Sequence, residues 1–262
     1  MQEIDTTDER DLARAVSASD SFRPRFGERD TGDPTQQVDP HGLDADRQHR
    51  ARAAGAAPVH AMPLGFKGTT IVAHPKQPWL YVSGAAAASG GPNAAMVRLA
   101  ATGLPESVEA CTLDRGYCWL SIDRTARFLL GCDYGTGKVD IFPLDATGKP
   151  GERCGGADQG RKEGHCAQPT SDNKFVYVPH VKGNSALFQY AFDAATGRLA
   201  PLPGTPADDV PWGMAVSADG RFMAVTNFGS KTLSVYRIDA EGGLKRLTTV
   251  DVEDRLMDVV VR

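Results

Sequence analysis

The sequence predicts an all-β fold, a β-propeller of four-stranded blades behind a disordered N-terminal extension. Three observations carry that reading. Aromatic residues recur at a fixed interval: Phe128, Phe175 and Phe222 stand 47 residues apart, and Trp79 precedes Phe128 by 49. A turn recurs with them, as AATG ending at Gly103, DATG at Gly148, DAATG at Gly197 and DAEGG at Gly243. Between these markers lie short apolar runs parted by turn residues, about four to each period. A four-strand unit repeating near 47 residues is the sequence mark of a propeller blade.

Residues 1–58 form the predicted extension. They contain no Cys, Trp, Tyr or Lys, and Phe22 and Phe26 are their only aromatics. Their 12 acidic side chains and 8 arginines account for the whole net charge of −4. Beyond a short helical stretch over Asp8–Val16 there is no period to follow, so disorder is expected. His41, His49 and His60 are too irregularly spaced for a metal site. The first residues, MQEIDTTDERDLARAV, hold no apolar core of a secretory signal and are too acidic for a transit peptide. A cytoplasmic protein is therefore expected. No apolar run approaches the ~18 residues needed to span a bilayer.

Residues 59–262 form the predicted propeller, with blades near 60–112, 113–160, 161–208 and 209–255. The first is degraded: GTTIVAHPKQPWLYVSG and AAMVRLAATG give three strands, and the small, flexible insertion Ala85–Pro92 replaces a tight hairpin. The second is the clearest. Tyr117–Ile122 precedes the turn Asp123-Arg124-Thr125, and the runs Phe128–Gly131 and Val139–Leu144 flank the hairpin turn Gly135-Thr136-Gly137. The third and fourth blades repeat this order, and Arg255–Arg262 begins another strand. Four blades and a stub predict either a small disc or an open one, whose unpaired edges favour self-association.

Composition narrows the function classes. With the acidic excess confined to the extension, the propeller is neutral and offers no basic face, which sets nucleic acid aside. Cys111, Cys118, Cys132, Cys154 and Cys166 form no CxxC pair, so reduced and mostly buried thiols are expected. No pattern calls for a redox group, a nucleotide or a metal, and no cofactor or membrane partner is expected.

Blade geometry then predicts where a site would lie. The first two strands of a blade are antiparallel, so the start of the first and the turn after the second share one face of the disc. Those positions converge on a funnel mouth. First-strand starts supply Tyr117, Trp119, His165, Gln168 and Trp212; second-strand ends supply Asp133, Tyr134, His180, Asn227 and Phe228. Lys138, Lys182 and Lys231 recur just inside the turns. A lysine ring would focus field on an anionic ligand; equally, turn lysines are simply solvated and discourage edge pairing.

The run CWLSIDRTARFLLGCDYGTGKVDIFPLDATG resembles a repeat of the seven-bladed lactonase propellers, which include cycloisomerase-type 6-phosphogluconolactonases and carboxymuconate cyclases. EGHCAQPTSDNKFVYVPHVKGNSALFQYAFDAATG and VPWGMAVSADGRFMAVTNFGSKTLSVYRIDAEGGL resemble the two blades that follow it, and the likeness covers about 65–255. It implies a lactone-handling site built from a histidine, an arginine and a glutamate on successive blades. His165 matches the histidine. Trp212 stands where the family has the arginine, and Phe228 where it has the glutamate.

Two functions follow. In the first, the chain is a 6-phosphogluconolactonase-like hydrolase of carbohydrate metabolism that opens a small anionic sugar lactone. His165 is its general base, and Asp133 and His180 are a substitute acid/base pair. Tyr117, Tyr134, Gln168, Trp212, Asn227, Lys138, Lys182 and Lys231 then line the substrate. In the second, the chain keeps the fold as a binding or scaffold propeller without the chemistry, because Trp212 and Phe228 cannot replace a bidentate cation and a carboxylate.

Overall fold

A computed structural model describes residues 61–158 and 160–261. The predicted extension at 1–58, with its helical stretch, and the three histidines His41, His49 and His60 lie outside the described residues. Among the described residues sixteen strands form four antiparallel four-stranded sheets in chain order. Blade 1 holds β1 Lys67–Ala73, β2 Trp79–Ala85, β3 Ala94–Leu99 and β4 Pro105–Cys111. Blade 2 holds β5 Trp119–Ile122, β6 Phe128–Cys132, β7 Val139–Pro143 and β8 Gly155–Ala157. Blade 3 holds β9 Gln168–Pro169, β10 Phe175–His180, β11 Ala186–Asp193 and β12 Arg198–Pro206. Blade 4 holds β13 Pro211–Val216, β14 Phe222–Asn227, β15 Thr232–Ile238 and β16 Leu244–Asp251. Among the described residues there is no helix, and so none long and apolar enough to cross a membrane.

Alternation along each strand divides its side chains between two neighbouring blades. In β10, Phe175 and Tyr177 pack toward Met214, Met223 and Val225 of blade 4. Val176 and Val178 pack the other way, with Phe128, Leu130 and Cys132 of blade 2. A third cluster joins Tyr81 and Met96 of blade 1 to Tyr117, Leu129 and Phe142 of blade 2. Strands in the middle blades are thus buried on both faces, which is why they read as continuous apolar runs. Phe222 and Val235 instead form a small cluster of their own within blade 4.

The sequence repeat has a structural cause at these seams. Each recurrent glycine sits in the turn between the last two strands of a blade, with φ of +84° at Gly148, +77° at Gly197 and +84° at Gly242. A Cβ on Gly148, Gly197 or Gly242 would come closer than 3.0 Å to Trp79, Phe128 or Phe175 respectively, each on the preceding blade. The repeating aromatic and the repeating glycine are the two halves of one contact. Tyr81 and Tyr177 reinforce it by donating hydroxyl hydrogen bonds to the carbonyls of Gly148 (2.7 Å) and Gly242 (2.9 Å).

On the same face, Asp123 organises the turn between β5 and β6. It is fully buried and accepts hydrogen bonds from the amides of Thr125 (2.9 Å), Arg127 (2.7 Å) and Phe128 (2.7 Å). It also accepts from the Thr125 hydroxyl and, across the seam, from Asn173 Nδ2 at 2.7 Å. The inner strands line a central cavity of about 330 Å³, with Ile71, Trp119, Gln168 and Val216 contributed by the four blades in turn. The expected strand over Arg255–Arg262 is not formed among the described residues; that stretch crosses Gly213 of β13, where Met257 and Asp258 fill the space a side chain would need.

Candidate functional site

One aromatic row occupies the mouth. His165, in the loop entering β9, lies against Trp212 of β13, with ring centroids 3.8 Å apart and planes at 36°. Trp212 in turn faces Phe228, just past β14, at 5.3 Å and 31°. Tyr134, from the turn after β6, meets His165 edge-on at 6.2 Å and 87°. The three blades converge here as the strand geometry requires, because first-strand starts and second-strand ends share a face. Of the sequence-predicted residues, His165, Trp212, Tyr134 and Phe228 are brought together.

The tautomer of His165 is set by its anchor. Nδ1 lies 3.2 Å from the Trp212 carbonyl oxygen, an acceptor only, so Nδ1 carries the proton and Nε2 is the bare nitrogen. Burial pushes the pKa down to about 4, against a smaller upward pull from that carbonyl. The ring is therefore neutral at pH 7, able to accept a proton at Nε2 but only as a weak base. No carboxylate among the described residues orients it.

The other predicted residues stand elsewhere. Tyr117 is 1% exposed, packed edge-on against Phe142, and its hydroxyl donates to Asp140 at 2.8 Å. Burial, then the Asp140 charge, pushes its pKa far up, so it is a core residue and not a rim contact. Asp133 and His180 do not form the expected pair. The Asp133 carboxylate accepts from the Gly135 amide (2.9 Å) and the Thr136 hydroxyl (2.5 Å), closing its own turn, with Arg115 at 3.7 Å. His180 is 0% exposed behind Phe188, its Nδ1 is 3.1 Å from the Lys162 carbonyl, and its Nε2 is buried without a partner among the described residues. No solute reaches it in this arrangement.

Asn227 is also interior: its Nδ2 donates to Thr232 Oγ1 (3.0 Å) and Ser234 Oγ (2.9 Å), and its Oδ1 is buried without a partner among the described residues. Gln168 lines the central cavity beside Trp119 and not the mouth. The lysine ring is largely neutralised. Lys138 pairs with Asp158 and Lys182 with Glu163, each at 2.9 Å, and only Lys231 lacks an acidic partner among the described residues.

Arg255 is the group that sequence reasoning missed. Its guanidinium lies 5.0 Å from the Phe228 ring centre, at the far end of the aromatic row, and no carboxylate pairs with it among the described residues. It belongs to the stub after blade 4, where it reads as an ordinary start of a strand and nothing marks it. No group of three or more His, Cys, Asp or Glu among the described residues is arranged to hold a metal. All five cysteines are free thiols; Cys118 donates toward the backbone carbonyls of Cys132 (3.2 Å) and His165 (3.4 Å).

Residues 65–206 and 167–258 match the family model described as lactonase, 7-bladed beta-propeller. No curated protein matches the chain in sequence. Among solved structures, the chain is similar to a protein from Bacteroides uniformis described as a candidate 6-phosphogluconolactonase. There the TM-score is 0.62 at 18% identity, covering 72% of this chain and 55% of that one. It is also similar to the periplasmic gluconolactonase of Pseudomonas aeruginosa, with a TM-score of 0.56 at 21% identity, covering 70% of this chain and 57% of that one. Hydrazine synthase of Kuenenia stuttgartiensis follows at 0.53 and 16%, covering 73% and 64%. Likeness at these identities is likeness of fold, and the chain spans little more than half the length of the two lactonase-type structures.

Proposed function

Since this chain belongs to the seven-bladed lactonase β-propeller family, we propose that its mouth binds a small anionic sugar-acid lactone and opens it slowly, in carbohydrate metabolism. One observation supports this above the others: His165 is anchored at Nδ1 on the Trp212 carbonyl, and its bare Nε2 has no hydrogen-bond partner among the described residues. Water held at Nε2 gives up a proton there as its oxygen attacks the lactone carbonyl. The ring C–O bond breaks next, and the proton passes from Nε2 to the leaving alkoxide. The aromatic row of Trp212 and Phe228 gives the sugar ring an apolar border, and Arg255 and Lys231 supply the cations for its anionic group.

The rate should be low. Among the described residues His165 has no carboxylate to orient it, its pKa is about 4, and each absent acid/base or orienting group costs roughly 10²–10⁴ in rate. The same two facts favour a second reading, in which the mouth binds a lactone or sugar acid without turnover. Ring opening of 6-phosphogluconolactone and gluconolactone, followed by acid release, separates the two readings when run beside calorimetry. We expect slow hydrolysis that His165→Ala removes while binding persists. Binding without hydrolysis selects the second reading, and hydrolysis that survives His165→Ala refutes the first.

A further inference from the structure

Beside the aromatic row, at the same end of the blades, lies a set of thiols. Cys118 precedes β5, Cys132 ends β6, and Cys166 precedes β9. Cys118 is half-buried, while Cys132 and Cys166 are sealed at 0% exposure. None of the three has a part in the reaction proposed for His165.

Strand pairing sets Cys118 and Cys132 against each other. Trp119 is the register partner of Cys132, and the Cys118 amide also donates to the Cys132 carbonyl, at 3.0 Å. Two successive residues thus oppose one, the arrangement of a β-bulge, which re-aims the extra side chain. Both sulfurs converge on Gly164. Cys118 Sγ lies 3.7 Å from the Gly164 carbonyl oxygen, and Cys132 Sγ lies 3.1 Å from the place a Gly164 Cβ would take. Opposed residues on bonded strands have Cα atoms about 4.5–5.5 Å apart, inside the roughly 4.4–6.8 Å that a disulfide spans.

Their surroundings give the two thiols different parts. Cys118 is open enough for a small oxidant, and its thiol touches only backbone carbonyls, of Cys132 (3.2 Å), His165 (3.4 Å) and Gly164. Cys132 is closed to solvent. The Cys118 thiol, and then burial, push its pKa well above the ordinary value, so it keeps its proton until a neighbouring sulfur becomes electrophilic.

We propose that Cys118 and Cys132 are a redox modification site, which a hydroperoxide closes into a reversible disulfide. The Cys118 thiolate attacks hydrogen peroxide, the O–O bond breaks, and the departing hydroxide takes up the proton that the thiol released. Cys118 is then a sulfenic acid, its sulfur oxidised by two electrons. The Cys132 sulfur attacks the Cys118 sulfur, the S–O bond breaks, and the hydroxyl leaves as water with the Cys132 proton. Closing the bond also takes the Cys118 hydrogen away from the Gly164 and His165 carbonyls, so the loop that carries His165 responds to oxidation.

The test treats the full chain with hydrogen peroxide, alkylates it after denaturation and maps its peptides by mass spectrometry. Wild type should give a Cys118–Cys132 cross-linked peptide as the main product, and dithiothreitol should remove it. Cys118→Ser should leave Cys132 reduced, because peroxide has no path to the sealed sulfur. Cys132→Ala should halt at the first step, so that dimedone captures Cys118 sulfenic acid roughly tenfold more than in wild type. The wild-type map decides even if a variant fails to fold. Peroxide that leaves both thiols open to alkylation, or bridges Cys118 to Cys166 instead, overturns the proposal. So does oxidation of Cys118 to the sulfinic acid without a bridge, or an equal loss of the Cys132 thiol in folded Cys118→Ser.

Discussion

At the seams between blades the same parts appear three times: Trp79 beneath Gly148, Phe128 beneath Gly197, Phe175 beneath Gly242. At the mouth no position repeats. The equivalent residues are Tyr134, Val181 and Phe228 at the strand ends, and their environments run from half-buried to sealed. A seam must satisfy the same packing at every blade, so sequence is constrained to the repeat there. The mouth has no such requirement, and its residues vary with what each blade contributes. The difference separates what holds the propeller together from what gives it a function.

The seam can be broken most severely at its glycine. Gly148→Val combines a branched side chain at φ +84° with a Cβ that strikes Trp79. The two penalties sum to roughly 3–5 kcal/mol. Gly103→Val suffers the same backbone strain at φ +80° but meets nothing within 4 Å, so only roughly 1–2 kcal/mol should be lost. Urea unfolding of both variants measures the seam by difference. Equal losses would mean that the aromatic–glycine contact contributes little.

Two aspartates at opposite faces sharpen the contrast. Asp123 is fully buried and takes five hydrogen bonds, one of them from the next blade. Asp123→Ala leaves those donors without an acceptor in a closed site and should cost roughly 2–4 kcal/mol. Asp133 makes a similar turn at the mouth, but Gly135 and Thr136 are exposed and water can replace it. Asp133→Ala should cost under about 1 kcal/mol. If Asp133→Ala also abolishes lactone hydrolysis, the carboxylate has a chemical role that its turn geometry does not reveal.

The fold was legible because period and alternation are one-dimensional signals. The 47-residue interval and the turn glycines mark blades that the strands then occupy. The partnership between Phe128 and Gly197 was not legible, since the two are distant in sequence and belong to different blades. The mouth was half legible: strand polarity places His165 near Trp212 and Tyr134, as found. Strand polarity cannot say which way a side chain turns from the end of a strand. Tyr117 and Asn227 turn inward to satisfy buried groups, and Lys138 and Lys182 meet acids from loops that carry no repeat.

Two histidines, one at the mouth and one sealed beside it, allow a smaller test by pH. Burial is the main cause holding both below the ordinary histidine value of 6.5, His165 at about 4. In the unfolded chain both regain ordinary values, so below 6.5 the unfolded state binds more protons than the folded one. Stability is therefore complete above about pH 6.5 and falls as the pH drops toward the folded values. A histidine moving between 6.5 and about 4 would forfeit about 2 kcal/mol between pH 7 and pH 5 by linkage, reduced to roughly 1 because the His165 ring is partly solvated. His165→Gln should flatten the fall of the urea midpoint over that range by its share, leaving the slope that His180 imposes. His180→Phe, beside Phe188, should remove the His180 share, leaving what His74, also lowered by partial burial and then by Lys76, contributes. If His165→Gln leaves the profile unchanged, His165 is as solvated as an ordinary surface histidine. Its Nε2 would then be a stronger base than burial allows, and the slow turnover expected of the mouth would have to come from its missing partners alone.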